Sequence, residues 1–194
     1  MRRWLSIAVV AAGTAIWSPS VAIADMDIKQ LRSIRSASTS LRQAVLTVER
    51  DLKGKAYSAI ATITDGAVIY TVKIDTGDKT MTAEVDSKSG KVMQSGAAPT
   101  DSTAHLKEFG KVKGTLLAAM KAAESTAKGK SFAGVFKRLG NKDVFEIDVA
   151  ARDDSEKDVV VDAASGKIRK VAEKSADIAA PSLTVVPAFG AVAQ

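Results

Sequence analysis

Lys53-Gly54-Lys55-Ala56-Tyr57-Ser58-Ala59 lines up position for position with Lys128-Gly129-Lys130-Ser131-Phe132-Ala133-Gly134, 75 residues further on. At the same spacing Glu49 meets Glu124, Tyr70 meets Phe145, Val72 meets Ile147 and Ile74 meets Val149. After one inserted residue the spacing is 76, and Val85-Asp86 and Ser89-Gly90-Lys91-Val92 meet Val161-Asp162 and Ser165-Gly166-Lys167-Ile168. Identities, apolar positions and turn residues agree over about 55 residues, which marks a tandem duplication. The fold is therefore read once and applied twice.

Working outward, Ser40-Leu41-Arg42-Gln43 is a capping box that opens a helix. Leu41, Val45, Val48 and Leu52 follow on one face, and Gly54 ends the helix as a C-cap would. In the second copy Thr115 is the N-cap, Leu116, Met120 and Ala123 continue the face, and Gly129 stops it. Shorter helical segments precede both, at 26–36 with Ile28, Leu31 and Ile34, and at 104–112 with Leu106 and Phe109.

Beyond each helix the period switches to two. Strands are expected at 57–64, 69–74 and around Met81, Ala83 and Val85, with a short fourth near Val92. Asp65-Gly66 is a type I′ hairpin signal, and Thr76-Gly77-Asp78 and Ser87-Lys88-Ser89-Gly90 make the next turns. The second copy repeats the order at 132–139, 144–149, 158–162 and 167–171. The expected class is α+β: two tandem repeats, each one or two helices packed on a four-stranded antiparallel meander. How the two repeats pack together is not specified.

The 24 leading residues read as a secretory signal. Arg2 and Arg3 precede a short apolar run, and Ala22-Ile23-Ala24 is a small-residue cleavage site, placing the cut between Ala24 and Asp25. The mature chain of 170 residues carries a net charge of +4, has seven aromatics and no tryptophan, and is periplasmic or secreted. The absence of cysteine excludes disulfides, thiol catalysis and a lipid on a cleavage-site cysteine. The expected organisation is a signal peptide at 1–24, a first repeat at 25–95, a linker at 96–103, a second repeat at 104–174 and an Ala/Pro-rich tail at 175–194.

These residues resemble a tandem pair of PepSY domains, the module named from peptidase propeptides and a spore-germination protein. The resemblance rests on the helix leading to Tyr70-x-Val72-x-Ile74 or Phe145-x-Ile147-x-Val149, and on the closing Val-Asp-x-x-Ser-Gly-Lys-aliphatic run at Val85–Val92 and Val161–Ile168. It implies a β-lactamase-inhibitor-like fold, a helical layer on an antiparallel sheet. It also implies modulation of a peptidase, here in trans, because no H-E-x-x-H or peptidase unit follows the repeats in this sequence.

A Ser-His-Asp system needs a histidine, and His105 is the sole one, at a polar helix start without a G-x-S-x-G. Gly129-Lys130-Ser131 resembles the end of a P-loop, yet Glu124 stands where that motif needs glycine, and a helix rather than a strand precedes it. Asp153-Asp154-Ser155-Glu156 with Asp158 is the densest acidic cluster but lacks EF-hand spacing. Asp86 and Asp162, each before a tight turn, suit carboxylates that accept backbone N–H groups.

No catalytic, cofactor-binding or metal-ligating residue is assigned, and no cofactor is expected. The lysines form no dense stripe with stacking aromatics, so nucleic acid is not an expected partner. The leading expectation is a non-enzymatic exported protein-binding module whose partner is a protein, a peptidase first among candidates. The alternative is a periplasmic metal- or small-ligand-binding protein using its acidic hairpin loops. A third reading, an enzyme using Asp86 and Asp162 as paired carboxylates, requires the two to converge in a cleft.

Overall fold

The computed structural model describes residues 26–98 and 109–174. The expected leader at 1–24, the tail at 175–194, His105 and most of the segment 104–112 lie outside the described residues. Helix α1 spans Ile28–Ser36 and α2 Leu41–Leu52. Strands β1 (Lys55–Thr64), β2 (Ala67–Asp75), β3 (Thr80–Asp86) and β4 (Val92–Ala97) complete the first repeat. Helix α3 spans Leu116–Ala127, and β5 (Gly129–Leu139), β6 (Lys142–Ala151), β7 (Glu156–Asp162) and β8 (Ile168–Lys174) complete the second.

The two meanders merge into one eight-stranded sheet of order β4-β3-β2-β1-β5-β6-β7-β8. Every neighbouring pair is antiparallel. The junction is β1 against β5, with Ser58 opposite Val135, Ala59 opposite Gly134 and Ile60 opposite Ala133. Ala59 and Gly134 are the same position of the two repeats, so the junction is a pseudo-two-fold axis. The repeats meet as two copies of one surface.

Helix α2 packs on β1 and β2, α3 packs on β5, β6 and β7, and the two helices touch. Along β2 the alternation is strict: Val68, Tyr70, Val72 and Ile74 are buried and their neighbours are not. Phe145, Ile147 and Val149 are buried in β6, where Val144, Asp148 and Ala150 are buried as well, and a single apolar core runs through both repeats. Both capping boxes of the first repeat form, at Asp27–Gln30 and Ser40–Gln43. Asp65 and Gly66 have φ of 51° and 76°, the pair of positive values that a type I′ turn demands.

Two local expectations are corrected. Gly54 and Gly129 do not supply the left-handed cap, because Lys53 and Lys128 hold that conformation, with φ of 52° and 53°. The glycines serve a close approach instead. A Cβ at Gly54 would lie 2.5 Å from the Asp75 carbonyl oxygen, and one at Gly129 would lie 2.2 Å from that of Ala150. The other correction concerns the linker: β4 runs through Ala97, so its last residues pair with β3, Met81 opposite Ala97 and Ala83 opposite Ser95. Small side chains read as a linker also fit an exposed edge strand.

The leading segment of each repeat packs on the other repeat. Helix α1 rests on β5 and β6, where Leu31 and Ile34 are buried. Arg32 and Arg35 both pair with Asp154 in the β6–β7 hairpin. Reciprocally, Phe109 sits 6.0 Å from the ring of Tyr57 in β1, while also packing on Phe136 and Phe145. Lys55 Nζ donates to the Val112 carbonyl, and Lys130 Nζ donates to that of Ala37. These two bonds are repeat-equivalents: the second lysine of each Lys-Gly-Lys run clamps the lead of the other repeat.

Candidate functional site

Asp86 and Asp162 are turn staples. Asp86 accepts from the Lys88 and Ser89 amides, both at 3.1 Å, and from Ser89 Oγ at 2.7 Å. Asp162 accepts from the Ala164 and Ser165 amides and from Arg169, and that guanidinium together with the Ser165 bonds holds its carboxyl far below the usual range. The two residues lie on β3 and β7 with four strands between, roughly 24 Å apart at about 4.8 Å per strand step. Paired-carboxylate hydrolysis needs separations of about 5–9.5 Å, so these two do not converge on a substrate.

The acidic hairpin is committed to basic neighbours within the chain. Asp153 accepts from the Ser155 hydroxyl and amide and from Lys157, which lowers its carboxyl to about 2. Asp154 faces Arg32 and Arg35. Glu156 accepts from Lys174 Nζ at 2.7 Å and from the Met26 amide at 3.4 Å. Among the described residues no group of three or more acidic, histidine or cysteine side chains is arranged to hold a metal ion.

One buried cluster was not visible in the sequence. Asp148 is 3% exposed and accepts from Lys174 Nζ at 3.1 Å, alongside Glu156. Burial pushes its carboxyl up to about 6 against the pull of Lys174. Against its own burial, the Glu156 hydrogen bond and the Asp148 charge hold the Lys174 ammonium above its usual value. The first-repeat counterparts are Lys73, Thr80 and Ala98, so the triad belongs to the second repeat alone. No motif announces it, because its members lie on three strands and meet only through the register Asp148–Asp158 and Glu156–Lys174.

The two outer strands differ in chemistry. In β4, Val92-Met93-Gln94-Ser95-Gly96-Ala97 carries no charge and no proline, and all but Val92 are exposed. In β8, Arg169, Lys170, Glu173 and Lys174 put charges along the edge. Natural sheets guard an edge with charge, proline or a bulge. The β8 edge is guarded by charge, and β4 has only the register shift beside Val85 at its start. The Ala98 amide bonds back to the Thr80 carbonyl, so by the two-residue alternation of a ladder the Ser95 and Ala97 N–H groups point outward.

Residues 40–94 and 114–172 match the family described as the peptidase propeptide and YPEB domain, PepSY. No curated protein is a significant match. Among solved structures, the chain is similar to a candidate lipoprotein from Clostridium difficile 630, at 16% identity and a TM-score of 0.45, over 73% of this chain and 97% of that one. It is also similar to the YpmB protein from Bacillus subtilis, at 16% identity and a TM-score of 0.28, over 68% of this chain and 96% of that one. Two matched segments in the register of the duplication, spanning more than half of the sequence, place it: the chain belongs to the PepSY family.

Proposed function

We propose that this chain is an exported protein-binding module that engages a protein partner, with a peptidase as the first candidate, by accepting an extended segment along β4. The uncharged, exposed outer edge of β4 carries this reading, since among the described residues nothing bonds its outward N–H and C=O groups and no charge guards them. The PepSY family supports the peptidase as partner class. The signal-like leader supports export, with cleavage between Ala24 and Asp25. No helix among the described residues is long and apolar enough to cross a membrane.

The test uses the chain from Asp25 to Gln194, cross-linked in a periplasmic extract and then assayed against whatever peptidase it enriches. The wild type is expected to enrich a peptidase and lower its activity. Ser95→Pro removes an outward-facing donor while leaving the β3–β4 ladder intact, so it should fold normally and lose both effects. A folded bait that enriches nothing, or a Ser95→Pro variant that binds like wild type, would overturn the assignment.

A further inference from the structure

A cleft of about 490 Å³ opens where the C-terminal end of α3 meets the start of β5, lined by Arg35, Glu124, Lys128, Lys130 and Arg152 with Ser125 and Gly129. Its volume is that of a small-molecule site. Four of the five charged lining groups are cations, and the fifth, Glu124, is already engaged by Arg42 at 2.9 Å and by Ser131. Arg35 shares Asp154 with Arg32, leaving that trio one positive charge in excess. Lys130 is held by the Ala37 carbonyl, a neutral acceptor. Among the described residues, the exposed Lys128 ammonium and Arg152 guanidinium have no hydrogen-bond or ion-pair partner. The helix terminus contributes roughly half a negative charge, too little to cancel this excess.

Two further observations bear on this cleft. Lys128, like Lys53 at the equivalent helix end, occupies a left-handed backbone position, φ 53°, where glycine or asparagine is the cheaper residue. The ammonium of the second lysine of the same run has a structural duty, the clamp to Ala37, whereas that of the first has none among the described residues. The duplication supplies an internal control. At the equivalent helix end of the first repeat, the place of Arg35 is taken by Gly110 from the second repeat's leading segment, and the place of the hairpin that carries Arg152 by the shorter Thr76-Gly77-Asp78-Lys79. The inserted residue of the second repeat falls in this β6–β7 hairpin, whose flanking pairs are Ala150–Glu156 where the first repeat has Asp75–Thr80. The two guanidinium groups, one from each repeat, thus converge on one of the two equivalent helix ends and are missing from the other.

We infer that this cleft binds a small, multiply charged oxyanion, of the phosphate-ester or polycarboxylate class, with Lys128 and Arg152 as its principal contacts. The site is distinct from the β4 edge and does not depend on it. The probes are inorganic phosphate and citrate, added to the chain from Asp25 to Gln194 and compared with sodium chloride at matched ionic strength, reading melting temperature and titration calorimetry. Phosphate, citrate or both should raise the melting temperature by roughly 4 °C beyond the chloride control. Whichever probe acts identifies phosphoryl or carboxylate as the preferred source.

Lys128→Gly keeps the backbone content with its positive φ, so it should melt no lower than wild type while binding the anion at least tenfold more weakly. Arg152→Ala should weaken binding similarly. Lys53→Gly makes the same backbone change in the first repeat and should leave binding unaltered. Shifts no larger than those with chloride, or equal losses from Lys53→Gly and Lys128→Gly, would overturn the site.

Discussion

At the scale of single residues, the Lys-Gly-Lys junction divides three tasks among three residues. The first lysine turns the backbone left-handed, the glycine lets the helix end approach a neighbouring strand, and the second lysine clamps the other repeat. Gly129→Ala should therefore destabilise far more than Lys128→Gly, by about 2 kcal/mol or more, because its Cβ would meet the Ala150 carbonyl, which is backbone and cannot swing aside. Urea denaturation of the two variants checks the ranking. Asp148 yields a pH prediction. Its folded value, near 6, lies above the ordinary carboxylate range, so the unfolded chain releases that proton first as pH rises. Its contribution is fully favourable below about pH 4 and is lost progressively up to about pH 6. Asp148→Asn should thus gain stability relative to wild type between pH 4 and 7, by an amount on the order of 1–3 kcal/mol. Denaturation at pH 4.5, 5.5 and 6.5 gives the difference, and a flat difference would contradict the assignment.

At the scale of elements, the periodicities were legible where a face is buried on one side only. Leu41, Val45 and Val48 for α2, and Tyr70, Val72 and Ile74 for β2, point into the core as their spacing requires. Strand ends were less legible: β1, β5 and β6 each begin two or three residues early, at Lys55, Gly129 and Lys142. Lysine and glycine weigh against a strand locally, yet pairing with an existing neighbour overrides that preference. The docking of α1 on β5 and β6 was not legible at all, since the inserted residue shows in an alignment but its contact with α1 does not. That contact is testable by itself. Exposed ion pairs contribute little to global stability, but Asp154 is the acid that both Arg32 and Arg35 face. Asp154→Ala should leave the melting temperature within a few degrees while speeding amide exchange across Ile28–Ser36 well above that of α2. Unchanged exchange in α1 would show that Leu31 and Ile34 hold it without the hairpin.

At the scale of the whole molecule, the duplication predicted two units, and the fold makes them one. Each repeat alone would expose the β1 or β5 edge at the junction and lose the cover that the other repeat's leading segment provides. The Tyr57–Phe109 contact and the two lysine clamps exist only between repeats. A unit of about 75 residues is marginal in any case, because so small a domain buries only about 60% of the surface its unfolded chain exposes. Residues 25–103 and 104–174 produced as separate chains should accordingly be unstable singly and combine one to one into the intact sheet. The pseudo-two-fold register at Ala59 and Gly134 also permits each half to pair with itself. The mixed pair should win, because Arg32 and Arg35 find Asp154 only across it. In a β1–β1 homodimer of the first half, the equivalent hairpin offers Asp78 from a loop one residue shorter. Analytical ultracentrifugation of each half and of the mixture, with circular dichroism melts, distinguishes the cases. Independent cooperative melting of both halves without association would mean that the repeats are true domains and that the shared sheet is only a docking of finished parts.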